Sequence, residues 1–356
     1  MQITDIYSAR SVAAQFTETA SNRIPALGLS FFPAYKKLGL DLSYIKAHKG
    51  LPVSLAPSNF DAKSTIRGRE GFKLEKTNMP FFRESMLVSE EDEQKIMMLQ
   101  ESNQLGINMV LSNIYNDANT LIEGANVVAE RMRMQLLAPT ADGSPRINIL
   151  ADGVQTSINY DPDGSYKTNN YTALTTATDK WTDHENSDPL KDVQTAMDAV
   201  ETLTGTRPVY MLLNGETMNH LIRNKKIQSA VLAQNVTANV FMTKARVIEV
   251  FQSVLGITPV VYSKKYKDES GTASYFYPAG MVTLLPEGAI GGTWYGTTPE
   301  ERTLMGKPEA NVSIVETGVA VAVSTTVDPV NTKTTVSEIV LPSYERMSET
   351  YVIKVY

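Results

Sequence analysis

The chain has 356 residues, of which 42% are hydrophobic and 20% are charged, and its net charge at pH 7 is −6. This balance is typical of a folded protein with a sizeable core, and the acidic charge disfavours a dedicated nucleic-acid binder. The sequence contains no cysteine, which excludes disulfides, iron–sulfur clusters, thiolate zinc sites and a cysteine nucleophile.

The N-terminal segment, residues 1–45, is predicted to be an arm. Residues 5–19 favour a short helix, and Pro25, Gly28 and Pro33 then interrupt any regular element. The alternative is a capped edge of the main domain. The segment lacks the basic and apolar stretches of a signal peptide, and no run of 18 apolar residues in the chain predicts a transmembrane helix.

Residues 46–88 form an unusually basic segment that is predicted to be extended. Its net charge is +4, which leaves −10 on the rest of the chain. Polar and apolar residues alternate in residues 64–67 and 71–75, which predicts a strand or a hairpin. The segment is either a solvated hairpin or a protruding loop that lies on an acidic neighbour. The candidate contact residues of such a loop are Lys63, Arg67, Arg69, Lys73 and Lys76.

A long helix is the clearest predicted element. Apolar residues recur every three or four positions from Ile107 to Leu136, and Pro139 follows as a helix stop. Gly106 is a possible break between this helix and a capped start at Ser89. A helix over residues 107–138 is about 48 Å long at 1.5 Å per residue, so it needs an extended surface such as a sheet to pack on.

The remainder of the chain alternates strands and helices. We predict a hairpin from residues 146–150 and 154–160, then an α/β part over residues 189–262 with buried strands at 209–213 and 257–262. The C-terminal third is rich in β-strand patterns. A strand at residues 350–356 is expected to pair with earlier structure and to return the chain to the sheet under the long helix.

No constellation of catalytic or metal-binding residues is recognisable. His48, His184 and His220 are far apart along the sequence and lack metal-ligand spacing. The sequence 161–164, Asp-Pro-Asp-Gly, resembles the start of a calcium loop, but Pro162 and the missing twelfth-position glutamate favour an ordinary turn. We therefore expect a protein that is not an enzyme, with no catalytic residues, no metal and no cofactor.

The order of elements resembles that of tailed-bacteriophage major capsid proteins, in particular the lambda-type major head protein family with the Hong Kong 97 fold. The strand-to-helix step at residues 209–223, the strand at 260–263 and the strands at 275–278 and 281–285 carry the local resemblance. The N-terminal arm matches least well. The resemblance implies an α+β fold with an N-terminal arm, an extended loop, a peripheral domain with a long spine helix, and an axial α/β domain.

By this resemblance the arm is 1–45, the extended loop is 46–88, the peripheral domain is 89–180 plus 341–356, and the axial domain is 181–340. The chain is then a non-catalytic subunit that self-assembles into pentamers and hexamers of an icosahedral shell enclosing phage DNA. Expected partners are further copies of the chain, scaffold, portal and decoration proteins, and double-stranded DNA contacted only weakly, with no membrane. The expected location is the virion, after assembly in the bacterial host cytoplasm.

Three alternatives remain open from the sequence. An encapsulin-like nanocompartment shell shares the fold and would package cargo enzymes. An α/β ligand-binding enzyme would use residues 189–262 as its nucleotide-type domain. A phage tail or head-completion component fits the long helix and basic segment less well. Some relatives cross-link loop lysines to asparagines, but no lysine here aligns with such a residue.

Overall fold

The computed structural model describes most of the chain. The described residues are 7–19, 26–46, 73–88, 90–91, 94, 98, 104–139, 142–151, 154–232, 242–268, 270–307, 311–327 and 330–356.

Helices and strands alternate throughout the described residues. The helices are α1 Ala9–Thr19, α2 Gly28–Phe31, α3 Gln104–Leu137, α4 Ser165–Asn169, α5 Pro189–Thr204, α6 Gly215–Arg223, α7 Lys225–Leu232, α8 Lys244–Leu255 and α9 Pro299–Gly306. The strands are β1 Ala34–Lys36, β2 Asp41–Lys46, β3 Lys73–Asn78, β4 Phe81–Val88, β5 Arg146–Ala151, β6 Val154–Asn159, β7 Tyr171–Ala173, β8 Tyr210–Leu213, β9 Thr258–Val261, β10 Lys265–Lys267, β11 Ala273–Tyr275, β12 Met281–Leu285, β13 Gly292–Tyr295, β14 Val312–Val315, β15 Val319–Val327, β16 Val330–Ser343 and β17 Tyr351–Lys354.

Two compact units make up the chain, and each is built from several segments. The first unit comprises Met1–Ser43, Lys76–Met132 and Gly292–Ser343. The second unit comprises Tyr44–Glu75, Arg133–Gly291 and Tyr344–Tyr356. The division within the predicted spine helix falls after Met132, inside α3.

The first unit contains a sheet organised around the 14-residue strand β16. β16 pairs antiparallel with β15 along one side and with β4 along the other, from Val88↔Thr332 to Phe81↔Ile339. β14 pairs antiparallel with β15, so β4, β16, β15 and β14 lie side by side in this order. β13 pairs with the end of β16, and β1 pairs with β13 in parallel.

One face of this sheet is covered by α1 and α3. Val12 and Phe16 of α1 are at most 1% exposed, and Ile122 of α3 is fully buried. They pack in one core cluster with sheet residues such as Val321 and Val336. The helix predicted at residues 5–19 is observed as Ala9–Thr19, and its apolar side chains are part of this core.

The second unit contains a five-stranded sheet with the order β7-β17-β12-β8-β9. β8 and β9 are parallel, as the predicted α/β part requires, and β17 pairs with β12 and β7. Helices α5, α6 and α8 bury apolar faces in the core of this unit, with Val193, Leu221 and Phe251 fully buried. The predicted small sheet covered by helices is thus observed.

The two units divide the chain at other positions than the predicted domain bounds. Residues 351–354 were expected in a peripheral domain with the spine helix, yet β17 lies between β7 and β12 in the second unit. Residues 292–340 were expected in the axial domain, yet β13 to β16 belong to the first unit with most of the long helix. This grouping depends on pairs such as Val352 with Tyr171, whose residues are about 180 positions apart in the sequence. Local sequence patterns do not encode pairing at such a separation.

The turn at residues 161–164 is an ordinary helix-capping turn. The Asp161 carboxylate accepts hydrogen bonds from the backbone N–H groups of Tyr166 at 2.9 Å and Lys167 at 3.0 Å. Gly164 has a positive φ of 71°, which allows the chain to enter α4. The predicted turn is observed, with the Gly164 N–H donating to the Asp161 carbonyl at 3.3 Å.

Gly318, between β14 and β15, is a position where a side chain has no space. A Cβ atom built there lies 2.4 Å from Cδ1 of Tyr295. We expect Gly318→Ala to lower the free energy of unfolding of the unassembled chain by about 1–3 kcal/mol through overpacking. Chemical denaturation measures this, with Gly124→Ala as the matched control, since nothing lies within 4 Å of its Cβ and alanine favours a helix. Equal unfolding midpoints for the two variants would contradict the prediction.

Candidate functional site

The predicted inter-subunit residues lie only partly within the described chain. Lys73 and Lys76 are on β3, which pairs with β2 in a two-stranded sheet. Lys63, Arg67 and Arg69 lie outside the described residues. The pairing of β2 with β3 places Lys46 and Lys73, the described residues on either side of the remaining basic segment, on neighbouring strands.

The strand β4 covers the last residues of the predicted extended loop, and it is an edge strand of the first-unit sheet. Among the described residues β4 pairs only with β16, so its second backbone edge has no strand partner there. Arg83 forms an ion pair with Glu300 of α9, and Glu300 also accepts a hydrogen bond of 2.5 Å from the Ser337 hydroxyl. These contacts link β4 and β16 to α9 through the Glu300 carboxylate.

Side chains on both faces of β4 are exposed, although its neighbour β16 is largely buried. Phe81 is 42% exposed and Leu87 60% exposed on one face, and Met86 is 37% exposed on the other. The helices that pack on the sheet therefore leave these three side chains uncovered. An exposed apolar edge strand without lysine or proline is a template for pairing with another chain.

Two of the three histidines meet in the second unit, which their separation in sequence did not predict. His184 lies in the loop before α5 and His220 on α6, and His184 Nε2 is 3.0 Å from His220 Nδ1. The aromatic ring of Tyr356 meets His220 edge-on, with centroids 5.2 Å apart. An N–H···N hydrogen bond needs one neutral imidazole as acceptor, so the pair holds the loop only while one ring is unprotonated.

Burial lowers the pKa of His220 below its ordinary 6.5, with a further contribution from His184. Since the unfolded chain then binds more protons at mildly acidic pH, stability rises with pH in this range. We expect full stability above about pH 6.5 and a progressive loss below it. Thermal unfolding of the unassembled chain between pH 8 and pH 5 measures the loss, and His220→Gln should reduce the slope. An unchanged slope in this variant would count against the pair as its source.

A cluster of tyrosine and threonine hydroxyls in the second unit forms a closed hydrogen-bond network. The Thr350 hydroxyl donates to the Met347 carbonyl at 2.8 Å, so the Tyr166 and Tyr344 hydroxyls donate to it, at 3.1 and 2.8 Å. Burial raises the pKa of Tyr344 to about 12 and that of Tyr166 well above its usual value of 10. Both tyrosines remain neutral donors, which makes this polar cluster a structural one.

No candidate metal site emerges from the part of the chain that the structure describes. Within those residues no group of three or more histidine, aspartate or glutamate side chains is placed to hold a metal ion. In the same described ranges, no helix combines the length and the apolar character needed to cross a membrane. The exposed edge of β4 and the basic segment before it are the remaining candidate functional features.

Comparisons with known proteins address the chain as a whole. The family model described as phage major capsid protein E matches residues 8–353. Among curated proteins, none matches the sequence.

Solved structures of phage proteins share the fold. The chain is similar to a protein described as a capsid protein of an Escherichia coli CFT073 prophage, with a TM-score of 0.59 and 14% identity over 98% of this chain and 99% of that one. It is also similar to the capsid of Cyanophage A-1(L), with a TM-score of 0.53 and 13% identity over 93% and 92% of the two chains. A third similar structure is that of a phage-related protein of Bordetella bronchiseptica, with a TM-score of 0.52 and 14% identity over 96% of each chain. The predicted fold class is confirmed by this likeness.

Proposed function

This chain belongs to the phage major capsid protein E family, and from this premise we propose that its copies close into the icosahedral shell that encloses phage DNA. The observation that carries the proposal is the match of the family model to residues 8–353, nearly the whole chain. The function is structural, so we propose that the chain has no catalytic role. The virion capsid is its place of action, after assembly in the host cytoplasm.

We propose that the shell is built from pentamers and hexamers held together by head-to-tail contacts. A heterologous contact joins different surfaces of neighbouring copies, and it generates closed rings when the rotation between copies closes. Repetition of each contact around the shell then makes modest pairwise affinities sufficient, because every copy is held by several neighbours at once.

The basic segment 46–88 supplies one side of such a contact. Its charge of +4 contrasts with −10 on the rest of the chain, so a neighbouring copy presents a surface of opposite sign. Asp117 and Glu123 lie on the exposed face of α3 and are carboxylates that this segment can meet. The residues assigned to the contact are Lys63, Arg67, Arg69, Lys73 and Lys76.

Further partners follow from the role of a phage shell. Scaffold, portal and decoration proteins are proposed partners of the assembled shell. Contact with packaged DNA is proposed to be weak, because an acidic chain of net charge −6 neutralises few phosphates. The family match favours a phage shell over an encapsulin-like nanocompartment, which would carry cargo enzyme in place of DNA.

Size-exclusion chromatography with light scattering tests the proposal on the full chain. A shell subunit elutes as particles of very high mass, whereas a ligand-binding enzyme elutes near the chain mass of 39.2 kDa or as a small oligomer. Packaged DNA in particles purified from the native phage supports the proposed shell, and packaged enzyme supports the nanocompartment. A stable species near the monomer mass over a wide concentration range would contradict the proposal.

A further inference from the structure

We propose that the free edge of β4 pairs with β14 of a second copy of this chain, so that the sheets of neighbouring subunits join across the interface. The inference rests on the proposed function, because it names the segments by which copies of a shell subunit hold each other. It follows from the geometry of the first-unit sheet, in which β4 and β14 are the two outer strands of the row β4, β16, β15 and β14.

The edge of β4 has the properties of a strand that is covered in the assembled protein. It is eight residues long, pairs with one neighbour among the described residues, and lacks lysine and proline. Phe81, Met86 and Leu87 are exposed there at 42%, 37% and 60%. Natural proteins protect long free edges with charge, proline or a covering element, and β4 has only the adjacent Arg83 and Glu84 as charges. Addition of a strand satisfies the open backbone groups and covers these side chains together.

The opposite edge of the same sheet fits β4 in direction. Each step from β4 to β16, from β16 to β15 and from β15 to β14 is antiparallel. β14 therefore runs antiparallel to β4, and a second copy that continues the sheet places its β14 beside β4 in an antiparallel pair. The antiparallel alternation of the sheet then continues unchanged from one copy to the next. Antiparallel pairing is also slightly more stable per residue than parallel pairing.

The two edges also fit in composition. β14 has the sequence Val-Ser-Ile-Val without a charged residue, pairs with β15 alone among the described strands, and exposes Ile314 at 40%. On its other face, Val315 packs in the core with α1. Pairing of β4 with β14 therefore places no like charges opposite each other, and it covers Ile314 together with the apolar side chains of β4.

The contact is heterologous, because β4 and β14 are different surfaces of the subunit. Each copy offers one β4 edge and one β14 edge, so every copy in a ring can use both. Ile314, Ala320, Ser337 and Arg83 are joined by successive cross-strand pairs, so they form one row across the sheet. The same row then continues from one subunit into the next.

Hydrogen exchange followed by mass spectrometry gives the first test. In the unassembled chain, the amides on the outer edge of β4 should exchange rapidly, and in shells peptides covering β4 and β14 should both exchange at least about tenfold more slowly. The described strand β10, an exposed hairpin strand of the second unit, serves as an internal reference. Intact shells in which β4 exchanges at the rate of the free chain would overturn the inference.

Engineered cysteines give the second test. Because the sequence has no natural cysteine, only the introduced thiols can react with the cross-linker. Ile314→Cys is combined in turn with Phe81→Cys, Ser85→Cys or Leu87→Cys, and shells are treated with a short bis-maleimide. Residues two positions apart on a strand are about 7 Å apart, so at least one pair lies within linker reach in any full register. At least one double variant should give a covalent ladder of dimers, trimers and larger species, and single variants should give none.

The two proposals fail in different ways. Normal shells with accessible thiols and no ladder would overturn the pairing of β4 with β14 and leave the shell function intact. Protection of β4 in hydrogen exchange without any cross-link to residue 314 would likewise overturn the assignment of β14 as the partner strand. Failure of the unmodified chain to form shells would overturn the proposed function and the inference together.

Discussion

Replacing Arg67 and Arg69 together by glutamate is expected to abolish shell formation while the subunit remains folded. The double change removes two positive charges and adds two negative ones, which brings the net charge of segment 46–88 from +4 to zero. Like-charge contacts against an acidic neighbour then replace attractive ones, and this effect recurs at every contact in the shell. We expect the fraction of chain in shells to fall by at least about tenfold, as measured by sedimentation and electron microscopy.

Two variants make this experiment specific. Arg67→Lys with Arg69→Lys keeps the charge and should assemble normally. Lys226→Glu with Lys244→Glu makes the same change in net charge on exposed positions of the second unit, and it should assemble better than the loop variant. A circular dichroism spectrum like that of the unmodified chain establishes folding. Normal shells from the glutamate variant in the loop would refute the role of this segment.

Phe16→Ala is expected to destabilise the unassembled subunit by about 3–5 kcal/mol. Phe16 is 1% exposed and packs from α1 into the core cluster of the first-unit sheet. Truncation removes buried apolar surface and leaves a cavity between the helix and the sheet. The midpoint of chemical denaturation should fall accordingly, and hydrogen exchange should show faster opening of α1.

Thr17→Ala is the matched control, because Thr17 is the next residue of the same helix and is exposed. Its change in stability should stay within about 0.5 kcal/mol. If Phe16→Ala were as stable as this control in the unassembled chain, α1 would not pack on its own sheet in solution. The segment would then be an arm, as the sequence alone predicted.

Features with a strong local pattern were predictable from the sequence. The long helix was predicted at residues 107–138 and is observed as Gln104–Leu137, because its apolar stripe repeats for many turns. The hairpin of β5 and β6 and the two buried strands β8 and β9 were also predicted, but not that β8 and β9 pair with each other in parallel. The resemblance to phage major capsid proteins, based on the order of such elements, is confirmed by the family match.

Features that depend on distant pairing were not predictable. The segment 46–88 was treated as one loop, but β4 pairs with residues about 250 positions later in the chain. The pairing of β17 with β7 and β12 was not predicted for the same reason, since three consecutive buried side chains do not indicate which strands lie beside it. The pair His184 and His220 carries no signal in sequence, because α6 and the loop before α5 meet only in the folded chain. Such contacts are set by tertiary packing, which single-sequence patterns do not contain.

Electron microscopy of the purified full chain tests the central claim most directly. The account predicts closed shells of uniform size, with rings of five and six copies visible in averaged images. Particles absent at every protein concentration, or sheets and filaments that never close, would contradict it.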